Sequence, residues 1–113
     1  MMLSEKQAEF ALNVAKLIFY INHAGYHCTL GEGYRTKEQA EIYAEDGRGI
    51  KDSLHCKKLA QDLNLFDPSW NYLNDTVQYQ WLGDYWKTLN QSNRWGGDFE
   101  RKDGNHFEMS DKE

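Results

Sequence analysis

The amino-acid sequence predicts an α+β fold, with helices packed on one side of a small, mainly antiparallel sheet. Three observations carry this. A long N-terminal stretch repeats apolar residues at helical spacing. Residues 26–30 and 59–66 alternate in the manner of strands. A stretch rich in Trp and Tyr near residue 80 returns to helical spacing before a last short strand at 106–109. The chain of 113 residues suits one domain, 1–113. A hydrophobic fraction of 40% with a single proline excludes a disordered chain.

Ser4 and Gln7 form a capping-box pattern at the head of the first helix. Two apolar stripes follow, Ala8, Ala11, Leu12, Ala15 and Ile18 beside Phe10, Val14, Leu17 and Ile21, so a broad buried face is expected. Gly25 is a natural stop. Tyr26 to Leu30 reads as a strand, with His27 facing solvent. Thr36 and Gln39 open a second helix through about Asp46, with Ala40, Tyr43 and Ala44 inward. Gly47 to Asp52 is a polar loop. In the strand from Leu59 to Phe66, Leu59, Leu63 and Leu65 face the core and Ala60, Asp62 and Asn64 face away. Asp67-Pro68 makes a turn. Asn74 or Asp75 caps a third helix with Val77, Trp81, Tyr85 and Leu89 at helical spacing, and Trp86 reads as core. Arg94 to Phe99 is a glycine turn flanked by aromatics. The tail from Ser110 to Glu113 is expected to fray.

Net charge is −5, which disfavours nucleic acid and anionic surfaces. No apolar run is long enough to span a bilayer. The N-terminus lacks the regions of a signal peptide, so synthesis in the cytosol is expected. Cys28 and Cys56 are expected to be reduced thiols.

The chemistry concentrates in two places. His55 and Asp62 stand seven residues apart, and Asp103, His106 and Glu108 cluster near the C-terminus. Two histidines and one carboxylate with an open fourth position make a catalytic zinc site. A remaining carboxylate would act as general base on a water that the metal activates. On one flat strand His55 and Asp62 would face opposite sides, so the chain must bend between them, at Cys56-Lys57-Lys58. Arg35, between a strand end and a helix start, is placed to bind a carboxylate or an oxyanion.

Four blocks in order resemble the M15 family of zinc peptidases: Gly33-Tyr34-Arg35-Thr36 with Gln39-Ala40 and Tyr43; Ser53-x-His55 through Ala60-x-Asp62-Leu63; Trp95-Gly96-Gly97-Asp98; and Asp103-x-x-His106-Phe107-Glu108. The resemblance implies that His55, Asp62 and His106 bind Zn2+, that Asp103 is the catalytic carboxylate, and that Arg35 holds the substrate carbonyl. Ser53 and Gln39 match positions near the substrate groove. The family has glycine where this chain has Lys58.

The short chain most resembles the single-domain endolysins of phages. That implies hydrolysis of the L-alanyl-D-glutamate bond of the peptidoglycan stem peptide, by a monomer made in the host cytoplasm and acting on the cell wall after release. The metal would lie on the open face of the sheet. The rival readings are a D-Ala-D-Ala carboxypeptidase or dipeptidase with the same chemistry, a non-catalytic zinc-containing wall-binding module, and a small helical interaction protein with a fortuitous motif. Asp103 and Arg35 exceed what a binding module needs.

Overall fold

The computed structural model describes residues 1–47 and 53–112. All of the expected loop after Gly47 lies outside the described residues. Among the described residues, three α-helices and five short strands form the architecture: α1 (Leu3–His23), β1 (His27–Leu30), α2 (Lys37–Glu45), β2 (Ala60–Phe66), β3 (Tyr72–Leu73), α3 (Gln80–Leu89), β4 (Asn93–Trp95) and β5 (His106–Met109). The strands run in the order β1-β2-β5-β4, with β3 added to the far end of β2, and every pairing is antiparallel. The α+β expectation holds. Among the described residues no helix is long and apolar enough to cross a membrane.

The sheet has two unlike faces because its strands alternate. Leu59, Leu63 and Leu65 on the β2 side meet Phe107 and Met109 of β5, all at most 2% exposed. Asp62 of β2 and His106 and Glu108 of β5 point the other way. The helices α1 and α3 cover the apolar face. Trp86 of α3 joins the layers, edge-on to Phe10 of α1 at 5.6 Å and to Phe107 at 5.8 Å. Its indole N–H donates to the carbonyls of Arg94 and Glu108 at 3.0 and 3.1 Å, so the helix is tied to the sheet backbone without an orphaned donor.

Several local expectations shift. The first helix begins one residue before Ser4. Met2 is its cap, and the Met2 N–H donates to the Glu5 carboxylate at 3.1 Å. Only the stripe of Phe10, Leu17 and Ile21, with Asn13, is buried. Ala8, Ala11, Leu12 and Ala15 are exposed, because sheet and α3 cover one side of the helix only. Gly25 does end the helix, at φ +85°. In α2 the fully buried residue is Ala40, while Tyr43 and Ala44 are half-buried. Asp75 caps a short 3-10 turn, Thr76–Tyr79, that leads into α3. The core face of this region is Tyr79, Leu82, Gly83 and Trp86; Val77 is 75% exposed. The tail is held through Lys112: the Ser110 N–H donates to Ser92 O at 2.9 Å, Lys6 reaches the Asp111 carbonyl at 2.7 Å, and Lys57 pairs with the Asp111 carboxylate. Both cysteines are free thiols.

Trp95 explains two glycines. A Cβ on Gly83 or on Gly97 would lie 2.2 Å from its ring, so the indole is clamped between a helix and a turn. Gly83→Ala, which in an open helix would gain about 1 kcal/mol of propensity, is expected to lower stability by roughly 1–3 kcal/mol through overpacking. Chemical denaturation measures it; equal or higher stability would remove the clamp. Lys58 stands in the left-handed region, φ 57° and ψ 37°, where an L-residue costs about 1–2 kcal/mol. Its ammonium lies 5.3 Å over the Tyr34 ring, a partial offset. Lys58→Gly is expected to leave stability unchanged or raise it by up to about 1 kcal/mol. A clear loss would mean that the lysine side chain, not the backbone angle, governs this turn.

Candidate metal centre

The bend that brings His55 to Asp62 is a 3-10 turn, Leu54–Lys57. Ser53 caps it, its hydroxyl accepting from the His55 N–H at 3.1 Å, and Lys58 in the left-handed conformation closes it. The chain then enters β2. Antiparallel pairing places Asp62 directly opposite His106. The result is a group of His55, Asp62 and His106 whose ligand atoms all lie within 4.8 Å of one another. His55 and His106 are buried and Asp62 is half-buried.

The tautomers follow from the second nitrogen of each ring. His55 Nδ1–H donates to the carbonyl of Gly33 at 2.7 Å, which leaves Nε2 as the lone pair, 3.6 Å from Asp62 Oδ1. His106 is turned the other way. Its Nε2 lies 2.7 Å from Glu108 Oε1 and its Nδ1 3.1 Å from Asp62 Oδ1. Arg94 in turn holds Glu108 at 2.5 Å. Two imidazole nitrogens of opposite type and one carboxylate oxygen therefore converge, a donor set suited to zinc with positions left for water and substrate.

Hydrogen bonds through His106 link Asp62 to Glu108. Burial opposes ionisation of Asp62, but the hydrogen bond from His106 and the adjacent His55 ring outweigh it and hold its pKa at about 2. Burial would likewise depress His106, yet Asp62 and Glu108 on its two nitrogens raise it to about 9. Asp103 shifts the other way from Asp62. Partial desolvation of its carboxyl raises its pKa, with His106 opposing and Asp62 adding repulsion. A carboxylate with a raised pKa beside a metal site is a better proton acceptor than an ordinary one.

These groups share a cleft of about 940 Å³, which Arg35, Ser53 and Asp103 also line. The Asp103 loop is fixed from behind: its N–H donates to Gly96 O at 2.9 Å, and Trp95 Nε1–H donates to Gly104 O at 2.7 Å. A Cβ on Gly96 would lie 2.1 Å from the Asp103 carbonyl, which accounts for the glycine after Trp95. Arg35 is buried and grips Glu32 with two hydrogen bonds, Nε to Oε1 at 2.5 Å and Nη2 to Oε2 at 2.7 Å. Its guanidinium also lies 5.0 Å over Tyr43. Gln39 is half-buried on α2, does not line this cleft, and meets the Thr36 cap through its backbone N–H. His27 stacks on Trp70 and His23 on Phe19, so neither joins the centre.

Glu32 was not singled out from sequence, and its only signal is a spacing of three from Arg35. The segment 31–35 laces the site: Asp62 N–H donates to Glu32 O at 2.8 Å, Gly31 N–H to Asp62 O at 2.8 Å, and Arg35 N–H to His55 O at 3.1 Å.

Residues 46–109 match the M15 peptidase family described as D-alanyl-D-alanine carboxypeptidase, a span that holds His55, Asp62, Asp103 and His106. The chain belongs to the M15 family of zinc peptidases. The Serratia marcescens L-Ala D-Glu endopeptidase ChiX shares the fold with a TM-score of 0.63 at 20% identity, over 74% of this chain and 67% of that one. A D,D-pentapeptidase, VanY from a VanB-type vancomycin resistance cassette, crystallised with Zn(II), gives a TM-score of 0.62 at 16% identity, over 88% of this chain and 70% of that one. No curated protein sequence matches. In this M15 chain Arg35 and Gln39 precede the matched span, so their placement rests on the structure alone.

An ion entering between the two imidazoles must displace the proton on His106 Nδ1. Apparent zinc affinity is therefore expected to rise about tenfold per pH unit between about pH 7 and about pH 8.5, with about one proton released per ion. Competition with a chelator and calorimetry in two buffers measure this. Affinity independent of pH would show that His106 is not protonated at the site.

Proposed function

We propose that this M15 peptidase hydrolyses the L-alanyl-D-glutamate bond of peptidoglycan stem peptides, with His55, Asp62 and His106 holding the zinc ion and the chain serving as the catalytic domain of an endolysin-like enzyme. One observation carries the catalytic reading. The converging lone pairs of His55 and His106 open into the same cleft as a carboxylate of raised pKa, Asp103, and a buried guanidinium, Arg35. A structural zinc site would need neither. The bond choice is supported by the sequence resemblance and by a fold shared with an enzyme named for that bond.

Zinc supplies Lewis-acid activation of a water and of the scissile carbonyl when bound. Asp103 accepts the proton as the water attacks the carbonyl carbon, and later delivers it to the amine as the C–N bond breaks. Two Arg35 donors are committed to Glu32, which fixes the plane of the guanidinium. Its remaining N–H groups are left to donate to the developing oxyanion, a contribution of roughly 3 kcal/mol for one well-placed donor. Glu108 and the Gly33 carbonyl keep the imidazoles in the tautomers that hold the ion.

A second reading keeps this chemistry and moves the bond to D-Ala-D-Ala. The description of the matched family and the fold shared with a D,D-pentapeptidase favour it.

Mass spectrometry of defined stem peptides incubated with the zinc-loaded protein tests both. A product beginning at D-glutamate, abolished by chelator, is expected; loss of terminal D-alanine would select the second reading. Asp103→Asn is expected to retain one zinc and lose at least about a hundredfold in turnover. Wild-type rates in that variant would remove Asp103 as the base.

A further inference from the structure

Among the described residues, six Lys and Arg side chains and five Asp and Glu side chains line the cleft of this acidic protein, and most of them can be paired off. Arg35 is held by Glu32, Arg94 by Glu108, and Lys57 by Asp111, while Asp62 lies between the imidazoles. Lys102 donates to the carbonyl of Gly97 at 3.2 Å. Two lining cations remain whose side chains have no hydrogen-bond or ion-pair partner among the described residues, Arg101 and Lys112. Lys112 belongs to the C-terminal tail beside the Lys57–Asp111 pair. Arg101 lies two residues before Asp103, on the same loop, and acts on that carboxylate electrostatically without an ion pair. The loop is anchored by the hydrogen bonds of Asp103, Phe99 and Trp95, so it presents Arg101 from a fixed backbone.

The chemistry of the released residue says what such a cation would meet. Asp103 returns its proton to the leaving amine, so the residue carrying that amine sits beside the Asp103 loop. Glutamate has two carboxyl groups and passes the chain on through one of them, which leaves the other free. A terminal D-alanine also ends in a free carboxylate. Under either choice of bond, the released amine belongs to a residue bearing a carboxylate.

We propose that Arg101 forms the subsite for that carboxylate, selecting substrates with a free acid on the residue whose amine is released. A guanidinium with all its donors open can take a carboxylate in a two-pronged contact. The fixed loop sets its distance from Asp103, so carboxylate binding also aligns the leaving amine with its proton donor. This subsite rests on the peptidase reading above and holds for both bonds.

The test compares kcat/KM on paired stem peptides that differ only in this group, free acid against primary amide, for the wild-type zinc protein, Arg101→Gln and Arg101→Lys. Wild type is expected to prefer the acid by about ten- to hundredfold, the range for one charge-assisted contact. Arg101→Gln is expected to lose most of that preference, its loss on the acid exceeding its loss on the amide by a similar factor. Arg101→Lys is expected to recover part of it. Equal losses on both substrates would make Arg101 a modulator of Asp103 and overturn the subsite. So would cleavage by wild type with no preference for the acid. Cleavage of neither peptide by wild type would overturn the peptidase reading, and the subsite with it.

Discussion

The site depends on one cross-strand pair. Antiparallel pairing of β2 with β5 sets Asp62 opposite His106, and a slip of one residue would put the two on opposite faces of the sheet. What prevents the slip is the other face of the same strands. Leu63, Leu65, Phe107 and Met109 are buried against α1 and α3. Burying each such side chain contributes about 1.5–3 kcal/mol, so the four together outweigh a single polar contact at the centre. The apolar core therefore fixes the register, and the register delivers the ligands. On the polar face, Arg94, Glu108, His106 and Asp62 follow one another with alternating charge, so each of these ionic groups has a partner.

Around this strand pair the functional groups come from two frames. The segment 31–35 lies along one side of Asp62 and carries Arg35, Glu32 and the Gly33 carbonyl. The loop after β4 lies on the other side and carries Arg101 and Asp103. Trp95 stabilises that loop from beneath, packed between Gly83 and Gly97 and bonded to Gly104. Arg35 and Asp103, proposed for oxyanion contact and proton transfer, thus come from separate elements, each with its own support. Such support is what preorganised catalysis requires.

Much of this could be read from the chain. The alternation in 59–66 gave the correct faces of β2, and the odd spacing of His55 and Asp62 demanded the bend that Ser53 and Lys58 make. What escaped has physical reasons. The strand Asn93–Trp95 is too short to show alternation and exists through its pairing with β5. The face of α3 was misplaced because Val77 lies in a 3-10 turn, whose period of three shifts the helical phase at Gln80. The stripe of Ala8, Ala11, Leu12 and Ala15 on α1 is apolar but uncovered, and no sequence pattern says which of two apolar faces a neighbour will take. The partner of His55 is a backbone carbonyl, which has no side-chain signature at all.

The central claim is that the protein backbone and Glu108 hold the two imidazoles in opposite tautomers around Asp62. Nitrogen-15 NMR of the histidine rings in the zinc-loaded protein tests it most directly. The predicted spectrum has His55 protonated at Nδ1 and metal-bound at Nε2, and His106 protonated at Nε2 and metal-bound at Nδ1. The same tautomer in both rings, or either ring free of the metal, would contradict the account.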